Sequence, residues 1–89
     1  MPVSNQEKIE YAISLIRAEL ARAEAKHGLV MASPHEGNSI IREEYEELWE
    51  HVRANTGRTT EAGEEACQIG AMAVKYMINF DPRINDGTV

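Results

Sequence analysis

The chain has 89 residues, a formal net charge of −6, 43% hydrophobic and 27% charged residues, which suits one globular domain and no more. That acidity argues against nucleic acid or an anionic membrane as the main partner, and any phosphate-bearing ligand would need metal ions to approach. The single cysteine, Cys67, has no internal disulfide partner, and no stretch resembles a signal peptide or a membrane span of about 20 apolar residues, so the expected compartment is cytoplasmic.

In chain order, Met1–Val3 is a short lead-in. Ser4 followed by Glu7 reads as a capping box that starts a first helix at about residue 5. Ile9, Ala12, Ile13, Ile16, Leu20 and Ala23 keep helical spacing, with Tyr11 and Leu15 off that stripe, and Gly28 after His27 is a stop signal. Leu29–Ala32 is an apolar connector. Ser33-Pro34 pairs an N-cap with proline at the first helical position. The second helix is expected over about 34–55, weakened at its start by Gly37, with Ile41, Tyr45, Leu48 and Val52 as its core stripe. Trp49 sits on one shoulder of that stripe, and Glu44, Glu47 and His51 with Ile40 on the other. Asn55-Thr56-Gly57 ends it.

Thr59 or Thr60 caps a third helix over about 60–80, the element around which the rest is organised. Ala62, Ala66, Ile69, Ala73, Met77 and Phe80 line one face, and most other positions are apolar or small, so the helix expects cover on more than one side. A polar strip nevertheless runs its length: Glu61, Glu65, Gln68, Lys75 and Asn79, interrupted by Met72. Asp81-Pro82 stops the helix. The tail from Arg83 reads as polar and loose, with a turn at Asp86-Gly87. The expectation is an all-α domain over 1–89, three main helices arranged antiparallel that complete a four-helix-type bundle by oligomerisation.

The carboxylates carry the chemistry. Glu44 and Glu47 are i, i+3 neighbours on the second helix, and Glu61 and Glu65 are i, i+4 on the third, with Gln68 one step on. On an open surface such like-charge pairs cost only about 0.2–0.5 kcal/mol; at a partly buried edge, 6 Å apart with an effective dielectric near 20, each repels by roughly 3 kcal/mol. A solvated acidic face is the plain alternative for either cluster alone. Two clusters on facing shoulders of two helices favour a shared cation, as helical bundles hold metals. Oxygen donors without clustered histidine or cysteine suit Mg²⁺, or Mn²⁺, over zinc. A di-iron centre wants two Glu-x-x-His pairs, and only Glu24 to His27 has that spacing. Lys75 and Asn79 continue the polar strip and are candidates for phosphate or sugar oxygens, against the plainer reading of polar residues near a helix end. His27 and His35 read as helix-end side chains and Cys67 as a packing residue.

Glu43-Glu44-Tyr45-Glu46-Glu47-Leu48 followed by Glu64-Glu65-Ala66-Cys67-Gln68-Ile69 resembles the MazG-like all-α nucleotide pyrophosphohydrolases, which carry a Glu-x-x-Glu pair on one helix and a Glu-x-x-Asp pair on the next. Glu44, Glu47 and Glu65 match three of those positions, and Gln68 stands where the family has aspartate. His35-Glu36-Gly37 and Gln68-Ile69-Gly70-Ala71-Met72-Ala73 look like a phage-type branch of small members, and the likeness covers residues 34–80. It implies Mg²⁺-dependent cleavage of a nucleoside triphosphate to monophosphate and pyrophosphate in a homo-oligomer, a dimer or tetramer. On that reading Glu44, Glu47, Glu65 and Gln68 form the metal shell. Glu43 or Glu61 takes the proton from the attacking water. The rival reading is a non-catalytic acidic helical dimer that retains the fold.

Overall fold

The computed structural model describes residues 3–85; the expected turn at Asp86-Gly87 lies outside them. Helix α1 spans Asn5–His27, α2 Pro34–Arg53, α3 Thr60–Phe80 and α4 Pro82–Asn85. Each long helix begins where its cap predicts. The Ser4 side chain accepts from the Glu7 amide while the Glu7 carboxylate accepts from the Ser4 amide, a closed capping box. Ser33 Oγ accepts from the Glu36 amide and Thr59 Oγ1 from the Ala62 amide. Gly28 ends α1 at φ 75°, a left-handed value that glycine adopts without a Cβ penalty. Helix α2 stops at Arg53, two residues before the expected end, and Asn55 turns the chain at φ 62°. The tail expected to be loose from Arg83 instead makes the single turn of α4, where Arg83 pairs with Asp81 at 2.7 Å.

The axis of the molecule is α3. Both α1 and α2 pack along it, and they do not pack on each other. Successive helices alternate in direction. Leu29 and Met31 bond to Asn79 near the end of α3, whereas Tyr11 shares a cleft with Thr60 and Gly63 at its start, so α1 and α3 run the same way. Gly37 meets Tyr76 and Glu44 meets Glu65, so α2 runs opposite. An open groove is left between α1 and α2, floored by α3.

Small residues decide the contacts. A Cβ on Gly37 would lie 2.7 Å from Tyr76 Cδ2 and 2.9 Å from Met31 Sδ; the missing side chain lets α2 lie close on α3. Ile16 of α1 seats on Gly70, whose added Cβ would fall 2.8 Å from Ile16 Cδ1. The buried residues are Met31, Gly37, Ala62, Ala71 and Lys75. That set differs from the apolar stripe read on α3, since Ala66 and Met77 are exposed. It also differs on α2, where Tyr45, Val52 and Trp49 are about half exposed and Gly37, Glu44, Leu48 and His51 turn inward. The inward face of α3 is therefore close to its polar strip. No described helix is long and apolar enough to cross a membrane.

Candidate metal centre

The fold brings together three of the four residues read as metal ligands. Glu44 and Glu47 come from the middle of α2 and Glu65 from the second turn of α3, and one carboxylate oxygen from each lies within 4.8 Å of the others. The i, i+3 step of α2 supplies the first two, and the antiparallel packing of α2 on α3 supplies the third. Glu44 and Glu65 are half-buried while Glu47 faces solvent, so the cluster opens to water on one side.

Its electrostatics are unsettled without a positive charge. Glu44 Oε2 and Glu65 Oε2 are both buried and have no hydrogen-bond donor. Ionised carboxylates only accept hydrogen bonds, and burying them without a donor or counter-charge is costly. Burial above all, then the neighbouring Glu47 and Glu65, pushes the Glu44 carboxyl up to about 7. Burial and Glu47 raise Glu65 as well, with His51 pulling the other way. A proton shared between the carboxylates resolves the conflict at low pH. As pH rises through about 7 that proton is lost from Glu44; a hard cation would then relieve the conflict, and an all-oxygen donor set of this kind fits one.

Gln68, the fourth residue, is half-buried one turn on from Glu65 and lines the groove beside Glu44. Glu43 and Glu61, read as proton acceptors, stand outside the triad and are exposed. Glu43 borders an outer cleft with Glu47 and Trp49. Glu61 sits in the first turn of α3, where the helix dipole favours a carboxylate in any case. Lys75 is buried in the groove floor at 6% exposure. Asn79 has a structural occupation: its Oδ1 accepts from the Met31 amide at 3.1 Å, and its Nδ2 donates to Leu29 O and Lys75 O, each at 2.7 Å. Those bonds use both hydrogens of its Nδ2, and they tie the α1–α2 connector to the end of α3.

Two features escaped the reading of motifs. His51, one helical turn beyond Glu47, approaches Glu65 closely enough to influence its charge, and its Nδ1 lies 3.2 Å from Thr56 Oγ1; its place on the Glu44–Glu47 shoulder of the helix was the signal, and no role was read from it. The second feature is the groove wall that α1 supplies, with Arg22, Lys26 and His27 facing Lys75 and Gln68 across about 660 Å³. No local pattern in the first helix announces it. No protein-family model, no curated protein and no solved structure matches the chain.

Proposed function

We propose that the protein is a Mg²⁺-dependent nucleoside triphosphate pyrophosphohydrolase, Mn²⁺ being able to replace Mg²⁺, acting as a cytoplasmic homo-oligomer. The observation that carries this reading is the convergence of Glu44, Glu47 and Glu65, two of them with buried, donorless oxygens, beside a groove large enough for a nucleotide. The resemblance of the two glutamate motifs to the MazG-like enzymes supports it from the sequence side. Glu44, Glu47 and Glu65, with Gln68 as a neutral oxygen donor, would hold a divalent ion, which would neutralise phosphate charge and acidify the attacking water. Glu43 or Glu61 accepts the proton of that water. Water adds to the α-phosphorus, the bond to the bridging oxygen breaks, and pyrophosphate leaves. Lys75 offers its ammonium to phosphate oxygens from the groove floor. The test is release of pyrophosphate from a panel of canonical and modified nucleotides with Mg²⁺ or Mn²⁺. Absence of turnover across the panel overturns the reading.

One observation bears on assembly, in the hydrolase and the non-catalytic dimer alike. Tyr45, Trp49 and Val52 recur at i, i+4, i+7 on α2 and are 57%, 49% and 48% exposed. With Ile9 and Ile13 on α1 also about half exposed, the monomer leaves much of its apolar surface in water. Both readings expect an oligomer, so sedimentation as a folded monomer at micromolar concentration counts against both. Nucleotide turnover separates them.

A further inference from the structure

Lys75 is the most deeply buried charged side chain among the described residues, at 6% exposure, and it has no carboxylate within ion-pair distance among them. Its stem is buried while its unpaired ammonium opens to the groove, since among the described residues the buried side-chain atoms that lack a partner are two glutamate oxygens and no lysine nitrogen; such a group is placed to meet an anion from outside. The groove it lines is walled on the α1 side by Lys26 and His27, both in the last turn of that helix. Arg22 stands on the same wall but is engaged by Glu19 at 2.6 Å. Of the acids on the opposite wall, Glu36 accepts from the Ala32 amide and Glu44 belongs to the triad. Glu36 keeps its charge, so the end of the groove nearest the α1–α2 connector sets the unpaired ammonium groups of Lys26 and Lys75 against one carboxylate, in a chain that is acidic overall. The Asn79 clamp on Leu29 and Met31 fixes the connector that follows Lys26 and His27, and Asn79 also holds the Lys75 carbonyl.

We propose that this end of the groove is an anion subsite, formed by Lys75 with Lys26 and His27, that takes the pyrophosphate end of a nucleotide while the bond to be cleaved lies toward Glu44 and Glu65. The choice of pyrophosphate as the anion rests on the hydrolase reading; the subsite itself rests on the unpaired lysine. On the order of 15 Å of helix rise separates Glu65 from Lys75, and helical side chains lean toward the N-terminus, so the ammonium reaches back toward the triad. The groove then has a direction, with the leaving pyrophosphate at the connector and the nucleoside on the far side of the triad. Helix α1 becomes part of the substrate site, and the end that binds phosphate works without metal.

Calorimetric titration of the full chain with sodium pyrophosphate in EDTA tests this. Binding is expected without metal, at least tenfold weaker in Lys75→Met, which keeps the length of the buried stem, and at least tenfold weaker in Lys26→Glu, a change at an exposed position. Absence of binding to the unaltered chain, or equal binding by Lys26→Glu or a folded Lys75→Met, overturns the subsite. Mn²⁺ binding followed by electron paramagnetic resonance is expected to survive in both lysine variants. Pyrophosphate binding with no Mn²⁺ site leaves the subsite standing and removes the hydrolase reading instead.

Discussion

Glu44 of α2 and Glu65 of α3 face one another with a buried oxygen apiece that no donor reaches. The pair concentrates negative charge at the helix contact that positions the groove, so stability and ligand response are coupled at one place.

The first consequence is a pH dependence. Glu44 is held at about 7 against an ordinary value of 4.5, so the folded state binds this proton more tightly than the unfolded chain. The resulting stabilisation is full below pH 4.5 and is lost as pH rises through about 7. In EDTA the melting temperature should fall between pH 5 and pH 8. Glu44→Gln should flatten that slope, and millimolar Mg²⁺ should reverse it for the unaltered chain at pH 8. Glu7, held low by Ser4, and Asp81, held low by Arg83, have the opposite sign, but their contributions are lost only below their own ordinary values, outside this window. A melting temperature that stays level from pH 5 to 8 would contradict the assignment.

On the proposed metal reading, Gln68 sets how strong the ion site is. Gln68→Asp adds a charged oxygen beside Glu44 and should tighten Mg²⁺ about tenfold, while Glu65→Gln should weaken it by a similar factor, since hard cations prefer charged oxygen. Glu65→Gln is nearly isosteric, and Gln68→Asp shortens a half-buried side chain by one methylene, so both variants should stay folded in circular dichroism. If neither substitution moves Mg²⁺ affinity, the triad is a solvated acidic face.

Two glycines should respond in opposite directions to alanine. At Gly37 the added Cβ meets the Tyr76 ring at 2.7 Å and Met31 Sδ at 2.9 Å. Overpacking of about 1–3 kcal/mol should outweigh a helix-propensity gain of up to about 1 kcal/mol. At Gly63 nothing lies within 4 Å of the new atom, so the propensity gain should appear uncancelled in a urea melt of the isolated chain. A stabilised Gly37→Ala would show that α2 does not lie this close to α3.

Asn79 should behave as a fastener of the connector. Asn79→Ala removes three hydrogen bonds and leaves the Met31 amide and Leu29 carbonyl without their partner, at a cost on the order of 2–4 kcal/mol when a part-buried network is broken. Hydrogen exchange should accelerate at Met31 before it does in the middle of α2. Exchange at Met31 unchanged from the unaltered chain would show that the connector is held by other contacts.

The boundaries of the long helices were legible because they rest on local chemistry. Ser4 with Glu7, Ser33 with Pro34, Thr59 and Gly28 each act within a single turn, and the structure places helix ends at all of them. The pairing of Glu44 with Glu47 was legible for the same reason, being one helical step. Their meeting with Glu65 was anticipated from facing shoulders, but it required α2 to lie antiparallel on α3 in one register, which depends on Gly37 lying against Tyr76.

What local pattern could not decide was the rotation of α3. On a helix that is apolar or small on nearly every side, hydrophobic periodicity singles out no face, and the Ala62–Ala66–Met77 stripe looked as good as any. Backbone approach at Gly70 and Gly37 and the burial of Ala71 set the rotation, turning Gln68 and Lys75 into the groove and leaving Ala66 and Met77 outside. The same packing leaves α1 and α2 apart, which opens the groove and brings Lys26 and His27, a remote helix end in the sequence, beside Lys75. Capping and helical spacing are properties of neighbouring residues, and the chain determined them alone; the buried lysine and its cationic wall are long-range consequences of which small residues let helices touch, and only the tertiary structure decided them.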